Sequence, residues 1–170
     1  MASSVAPLYQ DWPQYNARLR DGVRFLTAEQ LALRAGPEHG PIWALAAHAA
    51  AVRVYWLCGI FEQPAADRTP FPDPFADAWD DDPDHPRSGE ELAWALDTTF
   101  MVVREALERW TPDELSVTAE RTLQGVTVVH TRASVLNRLF THDAFHAGEI
   151  SQLLGIHGLP EIDLWRRPRT

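Results

Sequence analysis

His142 and His146 stand four residues apart in Leu139-Phe-Thr-His-Asp-Ala-Phe-His-Ala-Gly-Glu-Ile-Ser-Gln-Leu-Leu154, a stretch with helical patterning. On an α-helix, positions i and i+4 differ by about 40° in azimuth and about 6 Å in height, so both imidazoles belong to one face. Leu139, His142, His146 and Leu153, with Ile150 beside them, follow the spacing of an inward stripe. Polar rings on such a stripe need partners. One metal ion shared by two neutral imidazoles supplies them, in the geometry that the helical HExxH motif also uses. Two unrelated histidines, each satisfied by its own hydrogen bonds, would account for the same spacing. A third ligand separates the two readings. The strongest candidate is His48, in Pro41-Ile-Trp-Ala-Leu-Ala-Ala-His-Ala-Ala-Ala-Val-Arg-Val-Tyr-Trp-Leu-Cys58, where Leu45, His48, Val52 and Tyr55 form a similar stripe.

Two carboxylates accompany the pair. Glu149, three residues after His146, is placed to be an acceptor behind a ligand or a proton acceptor in a reaction, and an ordinary solvated glutamate fits the spacing equally well. Asp143 points about 100° away from His142 and is expected at the margin of a site. His157 returns to the same face as His142, but about 22 Å along the helix, too far to share an ion. His39, His85 and His130 default to loop or surface positions. The lone Cys58 excludes an internal disulfide framework and a multi-cysteine zinc site, and its neighbours Trp56 and Leu57 suggest an inert buried thiol. The run Asp80-Asp-Asp-Pro-Asp84 reads as a solvated loop, able to hold a hard cation only if folding converges its carboxylates.

A chain of 170 residues, 45% of them hydrophobic, can bury a substantial core as one domain over 1–170. Fifteen Lys+Arg against 24 Asp+Glu give a formal charge of −9, which argues against nucleic acid as a partner, with Arg166-Arg167-Pro168-Arg169 the one short basic cluster. Met1 to Pro7 lacks a charged n-region and apolar run, so a cytoplasmic location is expected. The run Ile42 to Phe61 is long enough to raise a membrane span, but His48 and Arg53 near its middle make that costly.

Four helices must position these side chains. The first opens near Asp11, a possible N-cap, with Pro13 tolerated in the first turn and Trp12, Tyr15, Leu19, Val23 and Leu26 inward. Thr27 and Gln30 have capping-box spacing for a short helix before the break at Gly36 to Gly40. The second long helix carries His48. Six prolines between Gln63 and Arg87 (Pro64, Pro70, Pro72, Pro74, Pro83 and Pro86) exclude a regular helix there. Ser88-Gly-Glu-Glu91 is a capping box that launches a third, with Leu92, Leu96, Thr99, Val103, Ala106 and Trp110 inward. From Leu115 to His130 the helical period lapses, and the chain is extended or forms a small hairpin turning at Gly125. Thr131 can cap the fourth helix, which runs to about Gly155 or His157, ahead of Gly158 and Pro160. The pattern predicts an all-α four-helix bundle.

His48 in the second helix, followed by His142-Asp-Ala-Phe-His146 leading into Gly148-Glu-Ile-Ser-Gln-Leu-Leu-Gly155, resembles the DinB/YfiT-like superfamily of metalloenzymes over nearly the whole chain. The resemblance implies an up-down-down-up bundle holding a divalent metal, commonly zinc or nickel, on three histidines, which by position are His48, His142 and His146. Members that depend on thiols resemble S-transferases and isomerases using bacillithiol, mycothiol or glutathione, and many others have no assigned reaction. It also implies a homodimer, consistent with a surplus of aromatic and apolar residues for four helices. Three protein nitrogens would leave a coordination position open, as catalytic rather than structural zinc sites do. The leading expectation is therefore a metal-dependent enzyme of the thiol-transferase type acting on a small thiol and an electrophilic substrate. The alternative is a non-catalytic, metal-stabilised bundle serving as a binding or dimerisation scaffold.

Overall fold

Capping side chains set where most of the helices begin. In the computed structural model, which describes residues 3–165, Thr27, Ser88 and Thr131 each accept a hydrogen bond from the backbone three residues on and complete a capping box. They open α2 (Ala28–Leu31), α4 (Gly89–Arg109) and α5 (Arg132–Ile156). Helix α1 (Trp12–Arg24) differs from expectation. Asp11 precedes it, but its backbone is already helical and its side chain makes no capping bond, so Pro13 in the first turn and the burial of Trp12 define the start. Helix α3 (Ile42–Val54) continues into a π-helical turn, Tyr55–Ile60. The first two residues and the basic tail Arg166–Arg169 lie outside the described residues.

The chain is mainly helical, and the all-α expectation is amended by a two-stranded sheet between α4 and α5. Strands β1 (Thr118–Leu123) and β2 (Val126–Thr131) pair antiparallel, with Thr118 opposite Thr131 and Leu123 opposite Val126. Gln124 and Gly125 both have positive φ, 51° and 77°, the signature of a two-residue type I′ turn, which explains why Gly125 marks it. Helix α4 packs on both α1 and α3, and α5 packs on α3 and α1. The start of α4 comes close to the end of α1. A Cβ on Gly89 would sit 2.2 Å from the Arg24 carbonyl oxygen, so only glycine permits this approach.

Helix α3 is the central element. Its window Ile42–Ile60 has the length and hydropathy of a membrane span, and 67% of it is buried within the protein, as in a core helix. The expected inward stripe Leu45, His48, Val52 and Tyr55 is instead its half-exposed side. The buried faces are lined by Ala46, Ala47, Ala50, Arg53 and Val54. Small alanines let α4 and α5 approach closely, and the side left over is crossed by the short helical turn Trp79–Asp81 of the proline-rich segment.

Helix α5 departs in the same way. Its core stripe is Leu136, Leu139, Asp143, Ala147, Ile150 and Leu154, with His142 and His146 on its flank. Asp143 therefore occupies a core position, not the margin of the site. The reason is Arg53, 0% exposed, whose Nη2 and Nε donate to the two Asp143 oxygens at 2.8 and 3.2 Å. Trp12 Nε1 donates to the same carboxylate at 2.7 Å, and Arg53 Nη1 donates to the Leu96 carbonyl and to Thr99 Oγ1. The indole of Trp12 packs edge-on to Phe100 and Phe140. One buried ion pair thus joins α1, α3, α4 and α5. Asp143→Ala, which strands the Arg53 charge, should lower unfolding free energy by about 3–5 kcal/mol in urea melts. The double variant Arg53→Met with Asp143→Leu should recover most of that loss, because no uncompensated charge remains buried.

Candidate metal centre

The register that Arg53 and Asp143 impose brings His48 of α3 against His142 and His146 of α5. One ring nitrogen from each lies within 4.8 Å of the others. The Nε2 atoms of His142 and His146 are 3.1 Å apart, a separation that two ligands of one ion at about 2.0–2.1 Å can adopt. The His48 ring stands 5.0 and 5.2 Å, centroid to centroid, from those of His142 and His146. The three histidines singled out by spacing thus converge.

Their outer nitrogens are held by carboxylates. His48 Nδ1 is 2.8 Å from Asp80 Oδ2, and His146 Nδ1 is 2.7 Å from Glu149 Oε2. An ionised carboxylate accepts, so each Nδ1 carries the proton and each Nε2 presents its lone pair to the centre, the arrangement by which histidine ligands are oriented. His142 Nδ1 is buried and has no partner. If His142 is protonated on Nδ1, three lone pairs face one another. If it is protonated on Nε2, a buried acceptor is orphaned. A cation among the three Nε2 atoms resolves the first case, and this is the observation by which the donor set fits a divalent metal. Burial, and then the neighbouring positive groups His146, His48 and Arg53, push the His142 pKa down to about 3, so this ring is neutral and ligand-ready at pH 7. Burial likewise lowers His146, partly opposed by Glu149. The hydrogen bond to Asp80 raises His48, helped by the charges of Asp80, Asp81 and Glu149.

Asp80 is the residue that spacing did not reveal. It stands in an acidic run whose sequence reads as a solvated loop, yet its side chain is 19% exposed, it lies 32 residues from His48, and its Oδ1 is buried without a partner. The rest of the run behaves as expected for surface, with Asp82 paired to the exposed His85. Glu149 takes the position of an acceptor behind His146 and remains partly exposed. His157 caps the end of α5 away from the cluster, and His130 packs against Trp56. Cys58 is buried, and burial pushes its pKa up to about 11. A pocket of about 410 Å³, lined by His39, Leu45, Glu149 and Gln152 among others, lies beside Glu149.

A family model, that of the DinB superfamily, matches residues 11–150. The chain belongs to the DinB superfamily. That span includes both members of the core ion pair, Asp80, Glu149 and all three histidines. The fold is also similar to the crystal structure of a DinB-like protein from Bacillus cereus ATCC 10987, at 21% identity and a TM-score of 0.69, covering 95% of this chain and 97% of that one. None of the curated proteins matches the chain. Membership and the histidine cluster together suggest a divalent metal centre in this DinB protein.

Asp80→Asn should weaken metal binding about 10- to 100-fold in a chelator competition, with helicity unchanged. Binding requires a neutral His48, so affinity should fall as pH drops through its raised pKa, and uptake at a pH where His48 is still protonated should release protons to the buffer. At pH 8 a thiol of pKa about 11 is roughly one part in a thousand thiolate, so Cys58 should react with a disulfide reagent far more slowly in native than in urea-unfolded protein.

Proposed function

We propose that this DinB protein is a divalent-metal-dependent enzyme that joins a small thiol to an electrophile, an S-transferase. The carrying observation is the membership of the histidine cluster. Among the described residues, the cluster of ligand-type side chains contains His48, His142 and His146 and no fourth member. A closed four-ligand sphere is the mark of a structural site, and three ligands with room for another characterise a catalytic one. The His48 side chain is 41% exposed, so a small molecule can reach the centre from solvent. Zinc or nickel suits three imidazoles, and such an ion would supply the Lewis acidity that favours the nucleophilic thiolate of a thiol at neutral pH.

The chain's own groups perform the rest. Asp80 and Glu149 hold the protons of His48 and His146 on Nδ1 and so keep both Nε2 lone pairs directed inward. The Arg53–Asp143 pair fixes the distance between the helices that carry the ligands. Glu149, with a side chain 37% exposed, is also the carboxylate available to take a proton from an arriving thiol. We take the four long helices as the up-down-down-up bundle, the protein as cytoplasmic and homodimeric, and neither nucleic acid nor membrane as its partner. Exposed Leu123, Val126 and Val129 on the hairpin are apolar surface that a second copy could cover.

Metal analysis of untagged protein should find about one divalent ion per chain, lost in His142→Ala and kept in His157→Ala. Chelation should abolish thiol conjugation while circular dichroism retains most of its helical signal, because the core does not depend on the ion. Complete loss of helicity on chelation would make the metal structural and favour a scaffold. Conjugation unchanged by chelation would remove the metal from the chemistry. Light scattering that gives a monomer at micromolar and higher concentration would exclude the dimer.

A further inference from the structure

Trp56, on the π-helical turn after α3, is flanked by two guanidiniums and an imidazole. The guanidinium carbon of Arg121 lies 5.2 Å from its ring centroid, that of Arg138 also 5.2 Å, and the His130 ring 4.8 Å. Three elements supply them. Arg121 on β1 and His130 on β2 share the inner face of the hairpin, as the pairing of Ala119 with His130 and of Arg121 with Val128 requires. Arg138 comes from α5, one turn before His142. The Arg121 Nε donates to the Tyr55 hydroxyl at 2.8 Å, which fixes the guanidinium and leaves its terminal nitrogens free of that bond.

No carboxylate answers this charge. Among the described residues neither Arg121 nor Arg138 has a carboxylate oxygen within 4.0 Å, whereas Arg20, Arg24, Arg53, Arg68 and Arg132 each do. In a chain of net charge −9, cations gathered without a counter-ion are contrary to the general balance. The two guanidiniums are close enough to His130 that their charges, after burial, help lower its pKa. A pocket of about 300 Å³ opens here, lined by His130, Ser134, Asn137, Arg138 and Thr141; the Ser134 and Thr141 hydroxyls already donate to backbone carbonyls, and the Asn137 amide stands beside the charge. Its α5 wall ends at Thr141, next to His142, and Arg138 lies about 6 Å along the axis from that ligand.

We propose that Arg121, Arg138 and His130 form an oxyanion-binding subsite beside the histidine cluster, which takes the carboxylate or phosphate of a small molecule whose other end reaches the metal centre. Arginine forks suit both groups, and a guanidinium braced on an aromatic face loses little freedom when it binds one. As a statement about which substrates the centre accepts, the proposal rests on the enzymatic reading above. The anion site itself does not.

The test titrates the full chain, as purified, with propionate and separately with methylphosphonate at constant ionic strength, following the Trp56 indole and arginine Nε–H signals by NMR. Saturable shifts at Trp56 and Arg138 are expected, tighter for propionate if the natural group is a carboxylate and for methylphosphonate if it is a phosphate. Arg138→Gln changes an exposed residue and should weaken binding at least about tenfold. Arg104→Gln, on the exposed side of α4, should leave it unchanged. His142→Ala should retain anion binding, which separates this proposal from the fate of the metal reading. Where conjugation is active, Arg138→Gln should raise KM for an anionic electrophile at least about tenfold with kcat within a factor of about two, and leave a neutral one unaffected. No saturable shift with either probe, equal affinity in Arg138→Gln, or loss of binding in His142→Ala would each overturn the subsite.

Discussion

The guanidinium of Arg53 and the carboxylate of Asp143 meet where an ordinary helical core would hold two apolar side chains. Withdrawing them from water costs several kcal/mol per ion, and only good geometry with every remaining donor satisfied offsets that. Here two nitrogens reach the two oxygens, the third meets the Leu96 carbonyl and Thr99, and Trp12 completes the carboxylate. The network touches all four long helices. A hydrophobic core tolerates sliding by a fraction of a turn, whereas a bidentate ion pair does not. His48 lies five residues before Arg53 and His142 directly before Asp143, so the same pair that joins α3 to α5 also sets the register of the ligands.

Around that register, each histidine is treated differently. His48 sits on the open side of α3 and depends on Asp80, which is carried by a segment too rich in proline to be helical. His146 has its carboxylate within its own helix, one turn on. His142 has none, and its outer nitrogen is buried without a partner. The pKa directions follow: the ring paired with an acid from outside is raised, and the ring left with burial and positive neighbours is lowered to about 3. The centre is therefore asymmetric, with a solvent-facing ligand on one wall and more enclosed ligands on the other. Beyond it lies a positively charged hairpin face.

Much of this is legible in the sequence, because it depends on separations of three to seven residues. The capping residues Thr27, Ser88 and Thr131, the turn at Gly125, the stop after Gly155 and the pairing of His142 with His146 are all local statements. The inward face of α4, from Leu92 to Trp110, is legible for the same reason. The faces of α3 and α5 are not. Helix α3 is apolar over most of its circumference and α5 has polar residues on its buried as well as its exposed side, so periodicity does not single out the stripe against the core. A carboxylate at a core position violates the very pattern by which a core is recognised.

By itself, then, the sequence determined the number and limits of the long helices, the histidines able to converge, and the family to which such a chain belongs, since backbone hydrogen bonding and capping act over a single turn. The tertiary structure alone decided that Asp143 belongs to the core with Arg53, that Asp80 reaches back to His48 from a loop, and that Arg121, His130 and Arg138 surround one indole. Each of these joins residues 8 to 90 positions apart. Charges so placed find their partners by how helices and a hairpin pack in three dimensions, and no spacing along the chain encodes that distance.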